Sequence, residues 1–335
     1  MMSKLKVTDN CRPGFVIIGR NEGDRLKQCL KSVTAYASPV VYVDSGSTDG
    51  SVEYARTLGV QVVELDLSIP FTAARARNAG FSRLIDLYPA LNYVQFVDGD
   101  CEVVSGWVEN AQNFLDSDDT VAVVCGRRRE RYPEKTIYNF LCDIEWDTPV
   151  GEAMACGGDA MMRVNVLQQV NGFRDDLIAG EEPELCVRIR QAGFRIWRLD
   201  QEMTLHDAAM TKFSQWWQRS KRAGYAFALG ASIHGNLPER HWVKETRRAQ
   251  IWTAGVLIPT FLFVLLFGYS GLLILGIYPL QVVRLALKSE LQGVRNWQWA
   301  FYTVLGKFPE IVGQFTLFKN RMFRNRETLI EYKQG

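Results

Sequence analysis

One stretch limits this chain more than any other: from Ala249 to Val283, 35 consecutive residues, there is no charged side chain. A single membrane-spanning helix needs roughly 20 apolar residues, so the run is too long for one untilted span and slightly short for two ordinary spans with a loop. Gly268-Tyr269-Ser270-Gly271 supplies a turn near its middle. The pattern predicts a transmembrane helical hairpin, with helices over about 249–267 and 272–287. Arg247 and Arg248 precede the run, while Arg284 and Lys288 lie at its far end, placed to snorkel to the surface. Basic residues at both ends fit an even number of crossings, with both flanks cytoplasmic. A third apolar and aromatic stretch, 297–318, is interrupted by Lys307, Pro309 and Glu310 and reads as interfacial. The basic tail Lys319, Arg321, Arg324 and Arg326 suits the same face. The competing reading is a buried helical domain of a soluble protein, but apolar runs of about 18 residues or more favour the membrane.

The rest of the 335-residue chain is polar enough that the mean hydropathy is only -0.10. With 39 basic against 37 acidic residues, the net charge of +2 gives no reason to expect nucleic acid as a partner. Seven cysteines are scattered without C-x-x-C spacing, which reads as reduced core thiols rather than a disulfide or metal framework. The polar N-terminus, Met1 to Arg12, has no apolar signal-peptide core, so the front domain is expected in the cytoplasm.

That front part alternates between two periodicities. Phe15 to Ile18, Val40 to Val43, Val60 to Leu65 and Tyr93 to Val97 are short apolar runs rich in β-branched and aromatic residues. Helical patterns separate them at Asp24 to Ala35, Ser51 to Leu58 and Ala73 to Leu87. Continuous apolar strands alternating with helices define an α/β class with a mostly parallel sheet covered on both faces. The region from Gly126 to about Asp200 is less regular, with helices expected at Val164 to Val170 and Pro183 to Ala192 and a strand at Phe194 to Leu199.

Ligands of such sheets bind outside the carboxyl ends of the strands, and the polar clusters fall there. Asp98-Gly99-Asp100 follows the fourth apolar run; paired carboxylates at a sharp turn suit Mg2+ or Mn2+, which can bridge the phosphates of a nucleoside diphosphate. Asp44 opens Asp44-Ser45-Gly46-Ser47-Thr48-Asp49-Gly50 and reads as a base or ribose contact, whereas Asp49 reads as a helix cap. Arg20 and Glu22 follow the first run; Glu22 also fits as an acid in a helix first turn. Arg75, Arg77 and Asn78 suit diphosphate oxygens or an exposed helix face. Glu181 and Glu182 open a helix, either as dipole partners or with one of them as a general base. His206 is one of three histidines.

Taken in order, these clusters resemble family-2 glycosyltransferases of the GT-A fold over about Pro13 to Phe227. Arg20-Asn21-Glu22, the Asp44 to Gly50 segment, Arg77-Asn78-Ala79-Gly80, Asp98-Gly99-Asp100, Gly157-Gly158, Gly172-Phe173 and Glu181-Glu182 each match a piece of that family's pattern. Ser45 replaces the family's second Asp, and Glu182 replaces its usual Asp, lengthening the side chain by one methylene but keeping the acid. The resemblance implies a Rossmann-like GT-A catalytic domain over 1–230. Its nucleotide-binding half spans about 13–125 and its acceptor-side half about 126–230, with a membrane-associated region over 231–335. It implies that Arg20, Glu22, Asp44, Arg77, Asp98 and Gly158 hold the nucleotide sugar. Asp100 and His206 would ligate the metal, and Glu182, with Glu181 beside it, would supply the base for a direct, inverting displacement.

The expected donor is therefore a UDP- or GDP-linked sugar. The aromatic and basic stretch Phe213 to Phe227 and the hairpin point to membrane lipids and to a lipid-linked or membrane-proximal glycan acceptor, at the inner or plasma membrane. Two short spans are too few for a glycan channel, which argues against a processive synthase. The rival readings are a nucleotidyltransferase, which wants a glycine-rich basic loop where this chain has Gly19-Arg20-Asn21-Glu22-Gly23, and an inactive membrane scaffold.

Overall fold

The computed structural model describes residues 12–323. The N-terminal residues 1–11, including Cys11, and the basic Arg324 and Arg326 lie outside the described residues. The described chain forms two compact units, one of residues 12–131, 145–177 and 181–208, the other of residues 132–144, 178–180 and 209–323.

The elements in chain order begin with β1 (Gly14–Gly19), α1 (Asp24–Thr34), β2 (Val40–Asp44), α2 (Ser51–Thr57), β3 (Gln61–Glu64), α3 (Ala73–Leu87) and β4 (Tyr93–Asp98). They continue with β5 (Cys101–Val103), α4 (Trp107–Ser117), β6 (Val121–Glu130), α5 (Ile137–Glu145), β7 (Gly151–Glu152), β8 (Ala160–Arg163), α6 (Val164–Gln169), α7 (Glu181–Gln191) and β9 (Arg195–His206).

The strands of the first unit form one sheet in the order β3-β2-β1-β4-β8-β6-β9-β5, with β7 also on β9. Its first four strands are parallel, and Phe15, Val16, Ile17, Val41, Tyr42 and Val43 are fully buried. Burial on both faces is why these strands read as unbroken apolar runs. The mostly parallel sheet takes in antiparallel strands beyond β4: β8 runs antiparallel to β4 and β6, and β5 and β7 to β9, while β6 and β9 pair in parallel. The sheet is mixed.

Helix α3 lies unusually close to this sheet. A Cβ on Gly80 would stand 2.4 Å from Val16 Cγ1 and 2.8 Å from Val43 Cγ2, so only glycine allows the approach. Thr72 caps the same helix by accepting from the Arg75 N–H at 3.1 Å. Cap and close contact together fix the height of Arg77, one turn before Gly80.

The second unit is helical: α8 (Phe213–His234), α9 (Val243–Trp252), α10 (Ala254–Phe267), a 3-10 stretch (Gly268–Gly276), α11 (Ile277–Lys288), α12 (Gly293–Leu305) and α13 (Lys307–Met322). Helices α8 and α13 meet at two glycines: a Cβ on Gly224 would lie 2.0 Å from the Glu310 carbonyl oxygen, and one on Gly313 2.0 Å from that of Lys221. Within residues 243–288 lies the one helical stretch, among those described, long and apolar enough to cross a membrane. The expected pair of spanning helices at 249–267 and 272–287 is not what it contains. Helix α10 has 14 residues, about 21 Å at 1.5 Å per residue against a hydrocarbon core of about 30 Å, and α11 has 12. Gly268, at φ +63°, ends α10 where the turn was expected, but α10 starts only at Ala254, after a break at Thr253, and the turn residues join a nine-residue 3-10 segment that delays the second α-helix to Ile277.

Candidate active site

The carboxyl edge of the first unit gathers most of the sequence-predicted residues into one network. Gly99 is forced by space, because a Cβ there would stand 3.0 Å from the Ile18 carbonyl oxygen. The chain therefore turns tightly after β4 and presents Asp98 and Asp100 in succession. Asp98 Oδ1 accepts from Arg77 Nη2 at 2.7 Å and Asp98 Oδ2 from Arg128 Nη2 at 3.2 Å. Arg77 reaches in the other direction to Glu181 Oε1 at 2.7 Å, and its guanidinium lies 5.6 Å from the Phe173 ring centre. Burial opposes the charge on Arg77, but Asp98 and Glu181 outweigh it and raise its pKa. Gly158 faces this knot: a Cβ there would fall 2.6 Å from Asp98 Oδ2, 2.9 Å from Arg128 Nη2 and 3.0 Å from Arg77 Nη2.

Asp100 and His206 form the second cluster. The antiparallel pairing of β5 with β9 sets Cys101 opposite His206, and His206 Nε2 stands 3.1 Å from Asp100 Oδ2. Glu130 Oε2 is 3.6 Å from His206 Nδ1, and the Trp146 ring packs edge-on at 4.6 Å. Burial disfavours the imidazolium, but the Asp100 charge and hydrogen bonds to Asp100 and Glu130 raise the His206 pKa overall. Carboxylate and imidazole are a donor set suited to Mn2+ or Mg2+. Asp100 Oδ2, His206 Nε2 and the buried Cys101 lie close enough together to share one ion. The residues fit a divalent metal at Asp100 and His206. Asp98, already shared by two arginines, is the poorer ligand.

Two functional residues escaped the sequence reading. Arg128 and Asp159 pair at 2.8 Å, and Asp159, fully buried, also accepts from the Asp98 N–H at 2.8 Å and the Thr204 hydroxyl at 2.7 Å. Asp159 thus props the metal turn from behind. The available signals were the basic run Arg127 to Arg129 after an apolar strand and an acid directly after two glycines.

The remaining residues sit differently. Asp44 is buried, its oxygens taken by the Tyr42 hydroxyl at 2.8 Å and by the N–H groups of Gly46 and Ser47 at 2.9 and 2.8 Å. Its carboxylate thus builds the turn after β2. Asp49 joins the two first turns, accepting from the Gly23 and Ser51 N–H groups. Glu22 pairs with Arg25 at 2.7 Å, and Arg20 is exposed. Asn78 clamps Phe173 through its backbone N–H and C=O, and Arg188 joins Glu184 to the carbonyls of Val170 and Gly172.

Glu182 occupies a nest of its own. Its Oε1 accepts from the Cys156 N–H at 2.6 Å, the Cys156 thiol at 3.0 Å and the Cys186 thiol at 2.9 Å. Burial pushes the Glu182 pKa up, while those hydrogen bonds pull it down; burial prevails. The six described cysteines are free and buried, and Cys156 and Cys186, distant in sequence, stand 3.7 Å apart.

The mixed α/β sheet, with a carboxylate–imidazole pair and an arginine-bridged acid at its carboxyl edge, has the GT-A fold. Residues 15–170, just under half of the chain, match the family model Glycosyl transferase family 2. Among curated proteins, it is 26% identical over 189 residues to "Glycosyltransferase AglE" of Haloferax volcanii, covering 52% of this chain and 60% of that one. It is 25% identical over 183 residues to "O-antigen chain rhamnosyltransferase RfbN" of Salmonella typhimurium, covering 50% of this chain and 56% of that one. The chain thus spans little more than half the length of these relatives. Among solved structures, the mannosyltransferase PcManGT of Pyrobaculum calidifontis, in complex with GDP-Man and Mn2+, superposes with a TM-score of 0.62 at 18% identity, covering 91% of this chain and 87% of that one.

Proposed function

We propose that the protein transfers a sugar from a UDP- or GDP-linked donor to a hydroxyl or phosphate of a membrane-proximal or lipid-linked glycan acceptor. The observation that carries this reading is the Asp100–His206 pair next to the Arg77–Asp98–Glu181 bridge, at one edge of a family 2 domain. Asp100 and His206 would hold a divalent ion, which would supply positive charge for a departing diphosphate. Arg77 and Arg128 present fixed N–H donors to the nucleotide at the same edge and keep Asp98 ionised and oriented. Glu181 positions Arg77. Glu182, whose burial favours accepting a proton, takes the acceptor proton at the carboxylate oxygen not held by the thiols. One displacement on the anomeric carbon inverts its configuration. The relative named as an O-antigen chain rhamnosyltransferase supports this substrate class.

Membrane attachment through the second unit belongs to the same reading. Leu265, Leu266, Phe267 and Leu273 are 66%, 73%, 62% and 81% exposed, a patch that water does not tolerate well. The catalytic unit is then on the cytoplasmic side, where nucleotide sugars are made. The test is to incubate the full-length protein with Mn2+, a panel of nucleotide sugars and a membrane lipid extract, and to read the product by NMR. Release of a nucleoside diphosphate with an inverted anomeric centre supports the proposal. Retention of configuration, or release of pyrophosphate from a nucleoside triphosphate, contradicts it.

A further inference from the structure

Helices α9, α11, α12 and α13 surround a cavity of about 400 Å3 whose polar lining is almost entirely cationic: Arg248, Arg284, Lys288 and Lys307, with Gln281 and Trp252. Among the described residues, no carboxylate lines it. Lys307 has an acidic partner, Glu310 at 2.5 Å, and Arg284 reaches only Gln281, at 3.4 Å. Arg248 and Lys288 make no side-chain hydrogen bond or ion pair among the described residues. Like charges brought together around one partly enclosed space repel, and an anion placed among them relieves that repulsion. Arg248 also lines a second hollow with Arg240, Lys244 and Arg247, so the positive face continues along α9.

The rest of the wall is apolar. Leu285 and Val304 line the same cavity, and Leu280 and Leu287 on α11 stand 69% and 76% exposed. A free phosphate ion has no use for such a wall, whereas an amphiphile has use for both halves. Cations clustered at the end of apolar helices are also the arrangement that anionic lipid head groups select. A space of this size falls within the range of small-ligand sites.

We propose that this cavity binds the phosphate head group of a membrane lipid, with Arg248 and Lys288 as its principal contacts and the acyl chains along α11. The proposal rests on the membrane reading above, and flotation of full-length protein with vesicles separates the two. On vesicles of phosphatidylcholine alone, wild type and the R248Q/K288Q variant should float alike, through the apolar helices. Adding phosphatidylglycerol should tighten wild-type binding by about tenfold or more, and R248Q/K288Q should lose most of that gain. The control pair K135Q/K319Q, outside the cavity, should keep it. Millimolar inorganic phosphate should not displace the protein. The proposal is overturned if the anionic lipid gives no gain, if both variant pairs lose it equally, or if inorganic phosphate competes as well as the lipid. If nothing floats even on neutral vesicles, the membrane reading itself fails, and this proposal with it.

Discussion

His206 Nε2 lies 3.1 Å from Asp100 Oδ2, tying the last residue of β9 to the turn that follows β4. The tie depends on the β5–β9 ladder, since Cys101 is the register partner of His206. Removing either side chain leaves the ladder intact but takes away one of the two proposed metal ligands. D100N and H206A should each weaken Mn2+ binding by more than about tenfold while keeping the wild-type fold. Isothermal titration of Mn2+ with circular dichroism as the folding check tests this; unchanged affinity in both variants would rule the pair out as the metal site.

Arg77 is 3% exposed and holds two carboxylates, Asp98 and Glu181. Truncating it leaves Glu181 buried without its cation and Asp98 with Arg128 alone. R77M should destabilise the protein by about 3 kcal/mol in urea unfolding. R77M/E181Q should recover part of that stability, because one stranded charge is gone, but none of the transfer activity. Full recovery of activity would show that Arg77 acts only as a structural ion-pair partner.

Glu182 carries the pH dependence. Its pKa is raised in the folded state, so folding favours the neutral carboxyl and the ionised form costs stability once the pH exceeds the ordinary carboxylate range. That cost vanishes on acidification below the unfolded pKa. E182Q should therefore melt higher than wild type at pH 8, with the gap closing towards pH 4, while turnover drops by about a hundredfold or more. A variant that melts lower at pH 8 would contradict the assignment of the raised pKa.

Gly158 tests the packing of the site. It is not one of the positive-φ glycines, so backbone strain is not at issue; a side chain there simply collides with Asp98, Arg77 and Arg128. G158V should melt several degrees lower than wild type and lose nucleotide-sugar binding by thermal shift. Binding within twofold of wild type would mean that the knot of charges can move aside at little cost.

The sequence revealed some parts of this architecture more clearly than others. β1, β2 and β4 were legible because burial on both faces writes an unbroken apolar run, and Gly80 and Thr72 mark a helix that must lie close and start sharply. β8 was not, since four residues entering in reverse carry no period of their own. Asp98, Asp100 and His206 were singled out by type and order, and the structure brings them to one edge. Arg128 and Asp159 were not, because their meaning lies in a pairing between strands that are neighbours only once the sheet forms. Asp44 and Glu182 were named as site residues, but only the structure shows the turn that occupies one and the thiols that hold the other. The turn at Gly268 was legible, but the break at Thr253 and the 3-10 geometry of Gly268–Gly276 that shorten both helices carry no signal in apolar composition.

The central claim is that Asp100 serves metal-assisted transfer from a nucleotide sugar. The most direct measurement is the rate of nucleoside diphosphate release from the preferred donor by the full-length protein, in Mn2+ and in excess chelator, for wild type and D100N. The account predicts release by wild type in Mn2+, loss in chelator with recovery on adding Mn2+ back, and a rate lower by about a hundredfold or more for D100N. Equal rates with and without metal, or for D100N and wild type, would contradict it.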